Sequence, residues 1–118
     1  MYKLLLSAAA ITLGQAAFAD PATINSVRVS KDGGLWRFDV TVSHGDTGWD
    51  HFSDAWRILD ADNNQIAIRE LIHPHVDEQP LTRSLSGVQL PDGTTEVGVQ
   101  VRDTQSGWNP QITRVQIK

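Results

Sequence analysis

From residue 24 onward the chain alternates apolar and polar residues with a period of two, broken at short intervals by turn residues. That period belongs to strands whose faces see different surroundings. Leu35 to Ser43 carries it best, with Trp36, Phe38, Val40 and Val42 on one face and Arg37, Asp39 and Thr41 on the other. Ile24–Ser30, Asp54–Asp60, Gln65–Ile72, Leu81–Leu85, Thr95–Asp103 and Gln111–Lys118 repeat it more briefly. Val97, Val99 and Val101 form the inward row of the sixth strand. Trp36 and Trp56 fall on alternating faces and read as core residues. No stretch has the i, i+3, i+4 apolar spacing of a helix. Seven short strands in this length predict an all-β fold, a seven-stranded antiparallel sandwich of the Ig-like or fibronectin type III-like kind.

The connections fall into two sets. Lys31–Gly34, Ala61–Asn64 and Pro91–Gly93 are short and carry ordinary turn residues. His44–Ser53, His73–Pro80 and Thr104–Pro110 are longer. If successive strands run antiparallel, connections alternate between the two ends of the sandwich. The three long loops then share one end, and they hold all four histidines. Loops on a rigid sandwich are where binding groups concentrate. The densest is His73-Pro74-His75-Val76-Asp77-Glu78-Gln79-Pro80, two histidines and two carboxylates between prolines. In an extended segment His73 and His75 share a face.

The gathered groups are His44, Asp46, Asp50, His51, Asp54, His73, His75, Asp77 and Glu78, with Trp49 and Trp108 as candidate walls. From these, His44, His51, His73, His75, Asp50, Asp77 and Glu78 are the predicted metal-binding set. Imidazole and carboxylate donors suit first-row transition ions, copper or zinc foremost. Neither His-x6-His nor His-x-His is diagnostic alone; the convergence of loops carries the expectation. The same groups also serve ordinary loop structure, with histidines bonding backbone and Glu78 pairing with Arg83 or Arg69. Among these carboxylates the histidines are expected to hold their protons more tightly than in the unfolded chain.

Composition narrows the chemistry. There are no cysteines, and Met1 is the only methionine, so thiolate and thioether sites are excluded. Fourteen acidic residues against ten basic ones argue against nucleic acid and anionic membranes. Asp60-Ala61-Asp62-Asn63-Asn64 starts like a calcium loop, but Gln65 and Leu71 stand where that loop needs glycine and glutamate. It reads as a hairpin turn. Ser84, Asp77 and His73 or His75 have no local hydrolase signature around them, so no enzyme is expected.

The amino terminus has the parts of an export leader. Lys3 precedes the apolar run Leu4–Leu13, and Ala17-Phe18-Ala19 precedes Asp20. The run is short for a membrane span. Removal of residues 1–19 leaves one domain, residues 20–118, periplasmic or secreted and without a stable membrane anchor.

Two resemblances add to this reading. Leu85-Ser86-Gly87-Val88-Gln89-Leu90-Pro91-Asp92-Gly93 before a Val-rich strand resembles the approach to the sixth strand of fibronectin type III domains, although Tyr2 is the only tyrosine and none stands at that corner. Gly48-Trp49-Asp50-His51, Asp54-Ala55-Trp56, the His73–Pro80 stretch and Thr82-Arg83-Ser84 resemble a group of small uncharacterised bacterial secreted proteins. That resemblance implies export and a compact β domain, and it assigns no catalytic residue. Two functions are expected on these grounds: a non-enzymatic metal-binding module, or an Ig-like domain contacting a protein or glycan. Intact-mass measurement of the exported protein is expected to show a chain starting at Asp20; a mass that retains Met1–Ala19 refutes the cleavage.

Overall fold

The structure is a computed structural model that describes residues 20–118; the leader expected over 1–19 lies outside the described residues. It is all-β, with eight strands: β1 (Thr23–Asp32), β2 (Leu35–Ser43), β3 (Ser53–Leu59), β4 (Gln65–Glu70), β5 (Leu81–Val88), β6 (Glu96–Asp103), β7 (Gly107–Trp108) and β8 (Thr113–Gln116). One sheet has the order β1-β2-β5. The other has the order β4-β3-β6-β7, with β8 also paired to β6. All pairings are antiparallel.

The inward rows read from the alternation meet between the sheets. Phe38, Val40 and Val42 of β2 pack in one buried cluster with Trp56 and Ile58 of β3 and Val97, Val99 and Val101 of β6. Leu81 and Val88 of β5 and Ala22 complete it, while Trp36, Val27 and Val29 pack against its margin. Trp56 is wholly buried and supplies the largest side chain of the core.

β6 is buried on both faces, because its outer face is covered as well. There Trp108 of β7 stacks beneath two guanidinium groups, Arg57 at 3.9 Å and Arg102 at 4.9 Å from the ring centre. Arg57 Nε and Nη2 both donate to Gln100 Oε1, and Gln100 Nε2 donates to the Asn109 carbonyl. Gly98 of the same strand lies against Ile112 and Arg114. A Cβ there would stand 2.6 Å from Ile112 Cγ2, so only glycine fits without a shift.

The eighth strand departs from the seven expected. Thr104–Pro110 reads as a loop, but it doubles back: Asp103 Oδ1 accepts from the amides of Gln105 and Ser106, Gly107 turns at φ 77°, and Trp108 pairs with Arg102. Two residues are too few to show a period. The hairpin turn after β3 is an ordinary one, with Asp60 Oδ1 accepting the Asp62 and Asn64 amides, each at 2.8 Å.

The long loops do meet at one end. Leu71–Pro80 is tied to the β2–β3 loop by Asp46 and Gln79, and Thr104 and Gln105 are tied to that same loop at Phe52 and Asp50. Ile58→Ala, which opens a cavity at the sheet interface, is expected to lower the unfolding free energy by about 2–5 kcal/mol, read from urea denaturation. A loss below about 1 kcal/mol would place Ile58 outside the core.

Candidate metal centre

Two histidine pairs occupy the loop end. The His44 and His51 rings lie edge to face with centres 4.5 Å apart. The His73 and His75 rings lie 4.6 Å apart at 41°. Asp46 stands between the pairs.

Its carboxylate is fully buried and has three donors. Oδ1 takes the His44 Nδ1 proton at 2.6 Å and the Ser53 amide at 3.0 Å. Oδ2 takes the His75 amide at 2.8 Å. Asp46 is reached soon after the end of β2 because its own amide bonds the His44 carbonyl at 2.9 Å, a tight turn. Gln79 doubles the tie between loops, accepting the His44 amide on Oε1 and donating from Nε2 to the His75 carbonyl.

With Nδ1 bound to Asp46, the His44 Nε2 points at the other groups. It lies 3.1 Å from His51 Nε2 and 2.9 Å from the Asp20 carbonyl oxygen. His51 Nε2 lies 3.4 Å from Asp103 Oδ1. One ligand atom from each of His44, His51 and Asp103 falls within 4.8 Å of the others. Two bonds of about 2.0–2.1 Å at a tetrahedral angle hold their donor atoms roughly 3.3–3.4 Å apart. The separations of 3.1 Å between the two imidazole nitrogens and 3.4 Å from His51 to Asp103 lie close to that spacing. The carboxylate behind His44 is the usual orienting partner of a metal-bound imidazole.

Asp103 comes from the end of β6. It continues the inward row Val97, Val99, Val101, and the register sets it opposite Ser53. Burial pushes its carboxyl up, but the amides of Ser106 and Gln105 bring it below the ordinary carboxylate value, with smaller help from the charge of His44. Its second oxygen, Oδ2, is buried with no hydrogen-bond partner among the described residues. A buried anionic oxygen left unpaired is costly. A cation beside it would remove that cost.

The remaining residues of the predicted set lie elsewhere. His75 is buried, and Arg83 Nη2 donates to its Nε2 at 3.1 Å, which takes the lone pair of Nε2 and leaves the ring proton on Nδ1, so neither nitrogen is free for a metal. His73 and Asp77 are exposed. Glu78 is exposed and 3.5 Å from Arg83, the ion pair anticipated as its structural role. Asp50 is exposed and uses its backbone carbonyl to receive Thr104 and Gln105. Asp54 pairs with Arg102 at 3.1 Å. Asp103 lies outside the predicted set, although its place in the Val97–Val101 row marks it: a carboxylate in an inward register needs partners.

His75 also corrects the expectation that histidine protons are held more tightly here. Burial lowers its pKa, and Arg83 and His73 lower it further, outweighing Glu78 and Asp46. A pKa below the unfolded value contributes stability that is present above about pH 6.5 and lost as pH falls through the folded value. Metal-free protein is therefore expected to lose stability as pH drops from about 6.5 downward, and His75→Gln to flatten that slope, measured by urea unfolding across pH. An unchanged slope would clear His75 of the effect.

No protein-family model matches the chain, and no solved structure matches it. Over 91 residues the chain is 34% identical to a "Putative lipoprotein" of the archaeon Halomicrobium mukohataei. The match covers 76% of this chain and 44% of that protein, so the chain spans less than half the length of the curated relative it matches. Likeness to a lipoprotein fits an exported or membrane-associated protein, and no helix among the described residues is long and apolar enough to cross a membrane.

Proposed function

We propose that this is an exported, non-enzymatic β-sandwich module that binds a transition ion through His44, His51 and Asp103. One observation carries the reading: three donors from one loop and a strand end converge at ligand spacing, with a carboxylate oxygen buried unpaired among them. Asp46 orients His44 from behind. Two imidazoles and a carboxylate suit zinc or copper better than calcium or magnesium, which prefer oxygen donors throughout. When bound, such an ion supplies a positive charge that joins the loop end. The order β1-β2-β5 against β4-β3-β6-β8 supports a fibronectin type III-like arrangement, in which the fourth strand has left the first sheet for the second. The lipoprotein relative supports export, to the periplasm or the medium.

A second reading, an interaction domain for a protein or glycan, has its own support at the same end. Trp49 is 70% exposed, Ile72 73% and Val76 53%, all on the long loops. Exposed apolar side chains of this size serve contact surfaces.

Titration of the exported protein with Zn(II) or Cu(II) separates the two. Binding is expected well below millimolar. Asp46→Asn should weaken it about 10- to 100-fold, His51→Ala and Asp103→Asn should weaken it more, and a His73→Ala/His75→Ala double variant should leave it nearly unchanged. Wild-type binding no tighter than about millimolar defeats the metal reading and leaves the interaction domain.

A further inference from the structure

We infer that the amino group of Asp20, freed when the leader is removed, is a further ligand of this centre, so that the site is complete only in the processed protein. This amine ligand rests on the reading of His44, His51 and Asp103 as a metal site. Those residues supply three donors, and the Asp20 nitrogen and carbonyl oxygen would raise the set to five, within the four to five that zinc accepts. The Asp20 carbonyl oxygen already stands 2.9 Å from His44 Nε2, at the mouth of the cluster.

Asp20 is held there by its neighbours in the chain. Ala22 is buried against the core, and its carbonyl accepts Asn109 Nδ2 at 2.9 Å. Pro21 links the two with a fixed φ and no N–H. A residue before proline is driven to an extended conformation, ψ about +120 to +160°. Rotation of the carbonyl to that angle brings its oxygen to the same side as the residue's own nitrogen, roughly 2.7–3.0 Å away by standard bond lengths. Nitrogen and oxygen of one extended residue therefore form the two arms of a five-membered chelate ring. Because Pro21 has no amide proton to lose, the oxygen arm stays the carbonyl.

The nitrogen arm depends on processing. In the precursor Asp20 N is a peptide nitrogen whose lone pair is delocalised, and it donates rather than ligates. Cleavage after Ala19 converts it into an amine with a free lone pair. The precursor site is then one nitrogen short, and tight loading comes only after cleavage.

The test compares exported protein beginning at Asp20, verified by intact mass, with a variant carrying one glycine inserted between Ala19 and Asp20, which moves the amine one residue away. Zn(II) affinity by chelator competition is expected to fall roughly a hundredfold in the variant, since a donor on the same residue binds intramolecularly. The visible Co(II) spectrum should shift with the lost nitrogen, while metal-free melting stays the same. Equal affinity and equal Co(II) spectra in the two forms overturn the amine ligand and leave the three-residue site standing. No binding by either form overturns the site, and the amine ligand with it.

Discussion

The loop end is organised by one buried carboxylate. Asp46 has lost its water and is compensated by three donors: the His44 ring, the first amide of β3 and the His75 amide. Charge-assisted bonds of this kind are about twice as strong as neutral ones, and losing any donor would leave a buried anion short of a partner. Asp46 and His75 are 29 residues apart in sequence, so the bond between them spans two loops. The carboxylate therefore joins the β2–β3 and β4–β5 loops.

Asp46 also sets the orientation of the rings around it. It claims His44 Nδ1 and so turns Nε2 toward His51. The same carboxylate holds the His75 backbone, which leaves that ring to Arg83 and burial. Four histidines brought to one end of a sandwich thus divide into two unlike pairs. One pair faces an acidic strand end; in the other, His75 faces a guanidinium. Only the first has the electrostatics of a cation site, because an arginine bonded to an imidazole nitrogen both blocks the lone pair and repels a metal.

Rigidity beneath the loops makes this arrangement useful. Asp103 and Ser53 sit directly opposite each other in the β3–β6 register, just beyond the last core valine. The register is interrupted between Ser53 and Ala55, which sets Asp54 outward to Arg102, while the Ser53 amide donates to Asp46. Side chains carried on strand ends move less than side chains carried on loop tips, so Asp103 is the fixed point to which the His44 and His51 loop is fitted. Burial of β6 on both faces, under Trp108 and its two arginines, holds that point in place.

The two-residue period, read from residues such as Phe38, Val40 and Val42, was enough to determine an all-β sandwich and its inward rows, because a strand half in and half out of a core has no other way to write itself. Chain parity was enough to bring the three long loops to one end, since antiparallel neighbours alternate their connections. Parity is blind to direction within that end. It could not say that His44 and His51 face each other while His75 faces Arg83, because side-chain direction depends on which proton Asp46 takes. Nor did it mark β7, whose pairing is imposed by the Asp103 turn and by Trp108 lying under Arg57 and Arg102. Asp103 was legible as the polar member of an apolar row, but its unpaired oxygen exists only once burial has removed water from it.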